Sequence, residues 1–296
     1  MDVRDIIDVG IPVVVIFLMT LVGVRVTLDD FRRVLERPRL VGAALVAQPL
    51  LLPLLAGGMG WLAGVTPLAR VALILIAACP AGVLSNVYTV VAGGNVALSV
   101  TLTAAGTATS VVVIPLVTML GFALVQGHDG GGVSVPLSRT VTDLVFTILV
   151  PVGLGMLARP LLRRRPRLER TLQGAGLLAT LALVGVLLVT QWETVTGGLA
   201  RLTLAVVAFS AAALLAGDGL GRAMPTTLGD RVALALELPG RNLGVAAVVG
   251  VHSLGRPEIA ALATAVLVVQ VPLMFAASLA MRSVSSRRAA APVFTR

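Results

Sequence analysis

The chain is 296 residues long, 57% hydrophobic and only 12% charged, against about 25% charged residues in a soluble domain. That composition excludes a soluble globular enzyme and points to a polytopic membrane protein whose spans stack in one bundle. The net charge of +9 is carried by arginine, with no lysine. The arginines cluster in short loops beside apolar runs, which is how membrane topology is encoded, and aromatics at 3% leave no stacking platform for nucleic acid.

The start, Met1-Asp2-Val3-Arg4-Asp5, is acidic, whereas a cleavable leader has a basic first region. The first apolar segment is therefore expected to be retained. A span needs about 20 apolar residues. Nine candidates run roughly 9–26, 40–63, 67–92, 95–126, 138–158, 171–190, 199–220, 232–251 and 258–281. The fourth is long for one span, and a tilt or a kink at Pro115 is expected. With the N-terminus outside, seventeen arginines fall in inner loops and five in outer ones, and Arg241 remains at membrane depth. The positive-inside rule favours this orientation: a multi-pass protein of the cell membrane with a cytoplasmic C-terminus. The Gly-rich stretch Gln126–Gly132 separates four spans from five. The basic loop Arg159–Arg170 reads as a topology signal. His128 in the outer stretch and His252 at an outer span end read as solvated. A lone cysteine, Cys79, excludes an intramolecular disulfide framework.

Two spans are interrupted. Cys79-Pro80-Ala81-Gly82 breaks the third, and Leu238-Pro239-Gly240 breaks the eighth. Proline removes a backbone donor and clashes with the preceding turn, and glycine frees φ. Each break is followed by a span with its own proline, Pro115 and Pro272. Because the third and eighth spans run in opposite directions, the echo suggests an inverted-topology repeat. Paired interrupted spans in such repeats mark a transporter's binding site.

Polar side chains gather where apolar ones would be cheaper: Gln48, Ser85 and Asn86, Ser99 and Thr103, and the run from Glu237 to Asn242. Ser99 and Thr103, four apart, share a helical face. Carboxylate, amide oxygen, hydroxyls and carbonyls freed by a broken helix make a hard-oxygen set suited to a cation such as Na⁺. Thr101, Thr107, Thr109 and Ser110 read as helix packing residues that satisfy their own backbone. Glu237 is the one acid placed deep, where a carboxylate costs several kcal/mol unless paired or neutralised.

These residues resemble the bile acid:sodium symporter family. Gly82-Val83-Leu84-Ser85-Asn86-Val87-Tyr88-Thr89 resembles its signature after the first break, and Gly94-Asn95 through Thr103 resembles the adjoining span. Ala235-Leu236-Glu237, then Gly240 and Asn242, resembles the second broken segment, and Gln48 stands at the family's glutamine in the preceding helix. The resemblance implies an all-α integral membrane fold of nine transmembrane helices in one polytopic domain. It would have an inverted-topology repeat and two broken, crossing helices. A core-like bundle (40–126 and 199–282) would move against a panel (1–39 and 138–190). It implies symport of a small organic anion with Na⁺. One sodium site would use Ser85, Asn86, Ser99, Thr103 and Glu237. A second would use Gln48, Glu237 and carbonyls near Leu238 and Gly240. The family's second site has a glutamine before the asparagine, and here that residue is Arg241. A guanidinium only donates and stays charged, so it cannot ligate Na⁺. Either Arg241 takes the place of the second sodium and pairs with Glu237, or it turns into the cavity with Asn242 and binds the anionic substrate.

Other readings separate on chemistry. Arsenite efflux on a similar fold would need a thiol at the first break, and Cys79 is placed there. An intramembrane enzyme would need a nucleophile, metal or paired-carboxylate motif, and none stands in the sequence. A receptor without transport would not need a lone deep carboxylate beside a broken helix. Partners are a small organic anion and the lipid bilayer; nothing marks an obligate protein partner.

Overall fold

A computed structural model describes residues 3–126, 137–190 and 192–290. The stretch after Gln126, with His128, lies outside them, as do both chain ends. Among the described residues the chain is helical, and the one β feature is an isolated bridge.

Helix α1 (Val3–Arg25) bends by 64° into α2 (Leu28–Glu36). The bend falls where Thr27 and Asp30 cap each other reciprocally, an arrangement that satisfies orphan donors at a helix start. Pro38 then opens α3 (Pro38–Leu62), using the position where a missing N–H costs nothing. Thr66 caps α4 (Pro67–Ala78). After a break, α5 (Val83–Ala92) ends at Gly93 in the left-handed region, with φ of 73°. Helix α6 (Val96–Gln126) runs unbroken through Pro115, so the fourth expected span is one long helix.

Helix α7 (Leu137–Leu144) passes through a π turn (Val145–Leu149) into α8 (Val150–Arg163). It is followed by α9 (Pro166–Thr190), the short α10 (Trp192–Thr196) and α11 (Leu199–Arg222). Helix α12 (Leu228–Glu237) starts on a second capping box, Thr227 with Asp230. After the second break, α13 (Leu243–Val248) continues as a π turn (Val249–Ser253), and α14 (Pro257–Ala290) follows.

Six of these helices are long and apolar enough to cross a membrane, or seven with α1 and α2 counted as one bent span. The chain is thus a multi-pass membrane protein. Length alone does not reach nine spans, because α4, α5 and the α13 segment are each apolar but short.

Helix α1 packs chiefly on α8, then on α9; α3 packs on α4 and α11, α4 on α6, and α11 on α12. Two of these contacts are backbone to backbone. A Cβ on Gly155 would lie 2.0 Å from the Thr20 carbonyl oxygen, and one on Gly23 would lie 2.1 Å from that of Val152. A Cβ on Gly217 would lie 2.4 Å from the Leu234 carbonyl oxygen and lock α11 out of its seat on α12. Small residues that let helices approach are the usual basis of association in lipid, where no hydrophobic drive acts between helices.

A buried carboxylate holds the start of α12. Asp230 Oδ2 accepts from Arg37 at 2.8 Å, and Oδ1 accepts from Asn95 Nδ2 at 2.7 Å. The Asn95 N–H donates to the Gly229 carbonyl at 2.9 Å. The entry to α3, the α5–α6 turn and the start of α12 are therefore tied together. At the other end of the bundle, Ser253 on the second π turn donates to Asp143 of α7 at 3.0 Å. His252 beside it is half-buried rather than solvated.

Replacing Gly155 with Ala should force α1 and α8 apart, because the obstacle is backbone and cannot rotate away. Overpacking costs about 1–3 kcal/mol. The variant should melt several degrees lower in detergent, and an unchanged melting temperature would refute the close approach.

Candidate functional site

The two breaks lie against each other. Ala81 and Arg241 form an antiparallel bridge. The Gly82 N–H donates to the Gly240 carbonyl at 2.8 Å, and the Asn242 N–H donates to the Pro80 carbonyl at 2.9 Å. Backbone freed by each break is thus satisfied by the other, as it must be away from water. Gly240 permits the approach: a Cβ there would lie 2.8 Å from the Ser85 Cβ and 3.0 Å from the Leu236 carbonyl oxygen. Gln270 of α14 supports the second break from outside, donating to the Pro239 carbonyl at 3.0 Å and to Ser210 at 3.3 Å.

Glu237, the last residue of α12, is fully buried. Its Oε1 accepts from Thr103 at 2.6 Å and its Oε2 from Ser99 at 2.7 Å. Ser99 Oγ also lies 2.8 Å from Asn86 Oδ1, and Thr89 Oγ1 lies 3.3 Å from Ser99 Oγ. A hydroxyl carries one proton. Ser99 therefore cannot donate to both Glu237 and Asn86 Oδ1; it donates to the carboxylate, and the Asn86 amide can turn an N–H of its own to the Ser99 oxygen. Ser85 is buried against Gly240 and donates to the Gly82 carbonyl at 2.8 Å. No ion pair of the described residues involves Glu237. A buried carboxylate beside hydroxyl and amide oxygens, outside every ion pair of the described residues, fits a hard monovalent cation.

Arg241 is also buried, with 5% exposure. It turns away from the Glu237 carboxylate. Its Nη1 donates to Gln48 Oε1 at 3.1 Å and to the Cys79 carbonyl at 3.2 Å, and its Nη2 donates to the main-chain carbonyl of Glu237. Arg241 Nε and Gln48 Nε2 are buried without partners among the described residues. The expected Glu237–Arg241 pair is thus a contact to the backbone of Glu237, because the break at Pro239 and Gly240 takes the two side chains off a common helical face.

Of the carbonyls expected near Leu238 and Gly240, that of Gly240 is engaged by Gly82; the guanidinium takes the carbonyls of Glu237 and Cys79, the latter from the other break. Gly106 gives α6 room here: a Cβ would lie 3.3 Å from Gln48 Oε1.

Asn242 caps α13, its Oδ1 accepting from the Val245 N–H at 3.2 Å, and its Nδ2 faces Met19 Sδ of α1 at 3.9 Å. Thr101, Thr107, Thr109 and Ser110 donate to carbonyls three or four residues earlier. The Cys79 thiol is buried in the apolar core, and its carbonyl is what reaches the site. Thr89 and Gln270 escaped the sequence reading, although a glutamine alone in the apolar run Val268-Val269-Gln270-Val271 was a visible signal.

A family model described as the sodium bile acid symporter family matches residues 12–213. The chain belongs to the sodium bile acid symporter family. The match ends before Glu237, so the second broken segment rests on its own geometry. The chain is 34% identical over 142 residues to the chloroplastic "Probable sodium/metabolite cotransporter" of Oryza sativa subsp. japonica, covering 48% of this chain and 32% of that protein. It is 38% identical over 98 residues to the uncharacterized sodium-dependent transporter YocS of Bacillus subtilis (strain 168), covering 33% and 30%. It is 26% identical over 189 residues to the ileal sodium/bile acid cotransporter of Homo sapiens, covering 62% and 53%. The chain aligns with about a third of the first and second of these relatives and about half of the third.

Replacing Glu237 with Gln removes the negative charge while keeping the hydrogen-bonding shape. Stabilisation of the purified protein by Na⁺, read as a melting shift against choline, should vanish or need at least about tenfold more Na⁺, the effect of losing one charged contact. An unaltered Na⁺ shift would remove Glu237 from the cation site.

Proposed function

We propose that this protein is a Na⁺-coupled symporter of a small organic anion that works by alternating access. The carrying observation is the fully buried Glu237 carboxylate, bonded to Ser99 and Thr103, with Asn86 on the far side of Ser99, and outside every ion pair of the described residues. Ser85, Asn86, Ser99, Thr103 and Glu237 hold one Na⁺, whose charge offsets a burial that otherwise costs several kcal/mol. The names of the relatives, each sodium-coupled or sodium-dependent, support the same reading. On this reading the protein is a carrier rather than an enzyme.

In this reading α4 with α5, and α12 with α13, are two broken spans of an inverted repeat. Added to the seven spans supported by length, they make nine. The core is 40–126 and 199–282, and the panel is 1–39 and 138–190. The N-terminus lies outside the cell membrane and the C-terminus in the cytoplasm. Cation binding draws α5, α6 and α12 together, because the three supply the ligands. Asn242, whose amide faces α1, meets the anion when α1 moves away. The Asp143–Ser253 contact between α7 and the second π turn has to open in the opposite state.

Arg241 acts as a built-in cation in place of a second sodium. It is supported in that role by its contacts: Gln48 and two main-chain carbonyls, the type of oxygen set a second Na⁺ would use. Its burial and inward direction favour this over a substrate contact. Uptake of labelled anion into proteoliposomes should then depend on Na⁺ with a Hill slope near one. The Arg241→Gln variant, which restores an amide oxygen, should raise that slope toward two. A slope near two in the parent protein would sink the tethered-cation role.

A further inference from the structure

A cavity of about 180 Å³ lies between α1 and the α5–α6 pair. Its walls are valines from all three helices and the α1–α2 bend, and its polar groups are Arg25, Asn86 and Thr103. Asn86 and Thr103 also belong to the cation cluster around Glu237, so the floor of this crevice adjoins the charge at the centre of the site. Arg25 is on its rim.

The local chain explains why Arg25 stands there. It occupies the last turn of α1, where the helix dipole favours a cation. The chain then bends by 64°, and α2 leaves in another direction. The nearby Asp30 does not neutralise it, being taken by Thr27 and Arg33, and no ion pair among the described residues includes Arg25. Arg25 is exposed and therefore available.

We propose that this crevice is the anion site, that it takes a small aliphatic monocarboxylate, and that Arg25 anchors the carboxylate. The inference rests on the symporter reading above and narrows its substrate. A guanidinium grips a carboxylate through two parallel hydrogen bonds, and valine walls accept a short branched or linear alkyl body. Pockets for drug-sized ligands run to about 300–1,000 Å³, so a crevice of about 180 Å³ is matched better by an acid of a few carbons than by a steroid skeleton. A larger cavity, about 660 Å³, lies at the Gly64–Leu202 end of the bundle with Glu193 and Arg201 among its lining, and none of the cation-site residues reaches it. Neither Arg241 nor Asn242 lines the smaller crevice. Arg25 thus takes the role of first anion contact, and Asn86 joins anion to cation by presenting opposite ends of one amide.

The test is uptake of labelled 3-methylbutanoate and of taurocholate into proteoliposomes under an inward Na⁺ gradient. It uses the parent protein and the Arg25→Gln and Arg25→Lys variants. The parent should carry 3-methylbutanoate and not taurocholate. Arg25→Gln should raise KM for 3-methylbutanoate by about tenfold or more, the scale of a lost charge-assisted contact, with Vmax and half-saturating Na⁺ little changed. Arg25→Lys should recover part of the loss. Because Arg25 is exposed, the unchanged Na⁺ response also reports that the variant is folded. An unaltered KM in Arg25→Gln, or a preference for taurocholate, would overturn this inference and leave the symporter standing. Uptake of neither anion, nor of any acid from acetate to octanoate, would overturn both.

Discussion

The pairing of two broken backbones is the constraint on which the rest of this structure depends. At membrane depth each unpaired N–H or C=O costs several kcal/mol, so neither the Pro80 break nor the Pro239 break is tolerable alone. Side by side they exchange hydrogen bonds, Gly82 to Gly240 and Asn242 to Pro80. The same contact brings α5 and α12 together, and with them the polar residues flanking each break. Gly240 has to be glycine for this to happen, since the Ser85 Cβ occupies the space a side chain would need.

Two opposite solutions to buried charge follow within a few residues of each other. Glu237 accepts from the hydroxyls of Ser99 and Thr103 and stands outside every ion pair of the described residues, an arrangement that fits a mobile cation. Arg241 meets two main-chain carbonyls and a glutamine oxygen, so the positive charge there is covalently attached. A mobile ion can be bound and released within a transport cycle, and a tethered one cannot. In the symport proposed above, an arginine at position 241 therefore limits what its oxygen set contributes to coupling.

Much of this was legible in the chain itself. Composition, apolar runs and the distribution of arginines announced a membrane bundle, and the proline–glycine pairs marked both breaks to within a residue or two. Ser99 and Thr103 were readable as one face because they are four apart. Thr101, Thr107, Thr109 and Ser110 read as packing residues that satisfy their own backbone, and each donates to a carbonyl three or four residues earlier. What was not legible was direction. Arg241, four residues from Glu237, can be read from the sequence as pairing with its carboxylate or as turning into the cavity, whereas in the structure the guanidinium faces Gln48, 193 positions away. Thr89 and Gln270 were hidden for a related reason, since a polar residue in an apolar run shows its purpose only when its neighbour is known. The Gly23–Gly155 approach was equally silent, because nothing local distinguishes a packing glycine from a flexible one.

Membrane crossing, the places where the helices break, and the oxygen-bearing residues too costly at depth to be incidental can all be read along the chain. Those properties are local: hydropathy, the missing N–H of proline and the solvation cost of a carboxylate act on a residue wherever the chain goes. Only the tertiary structure decided that Ser99 and Glu237, 138 positions apart, share a hydrogen bond. It also decided that Arg241 faces carbonyls rather than a carboxylate, and that Arg25, outside every ion pair of the described residues, lines a valine-walled crevice together with Asn86 and Thr103. Partner choice in a low-dielectric interior depends on which helices are packed together, and that packing is set by close backbone contacts that leave almost no trace in one sequence.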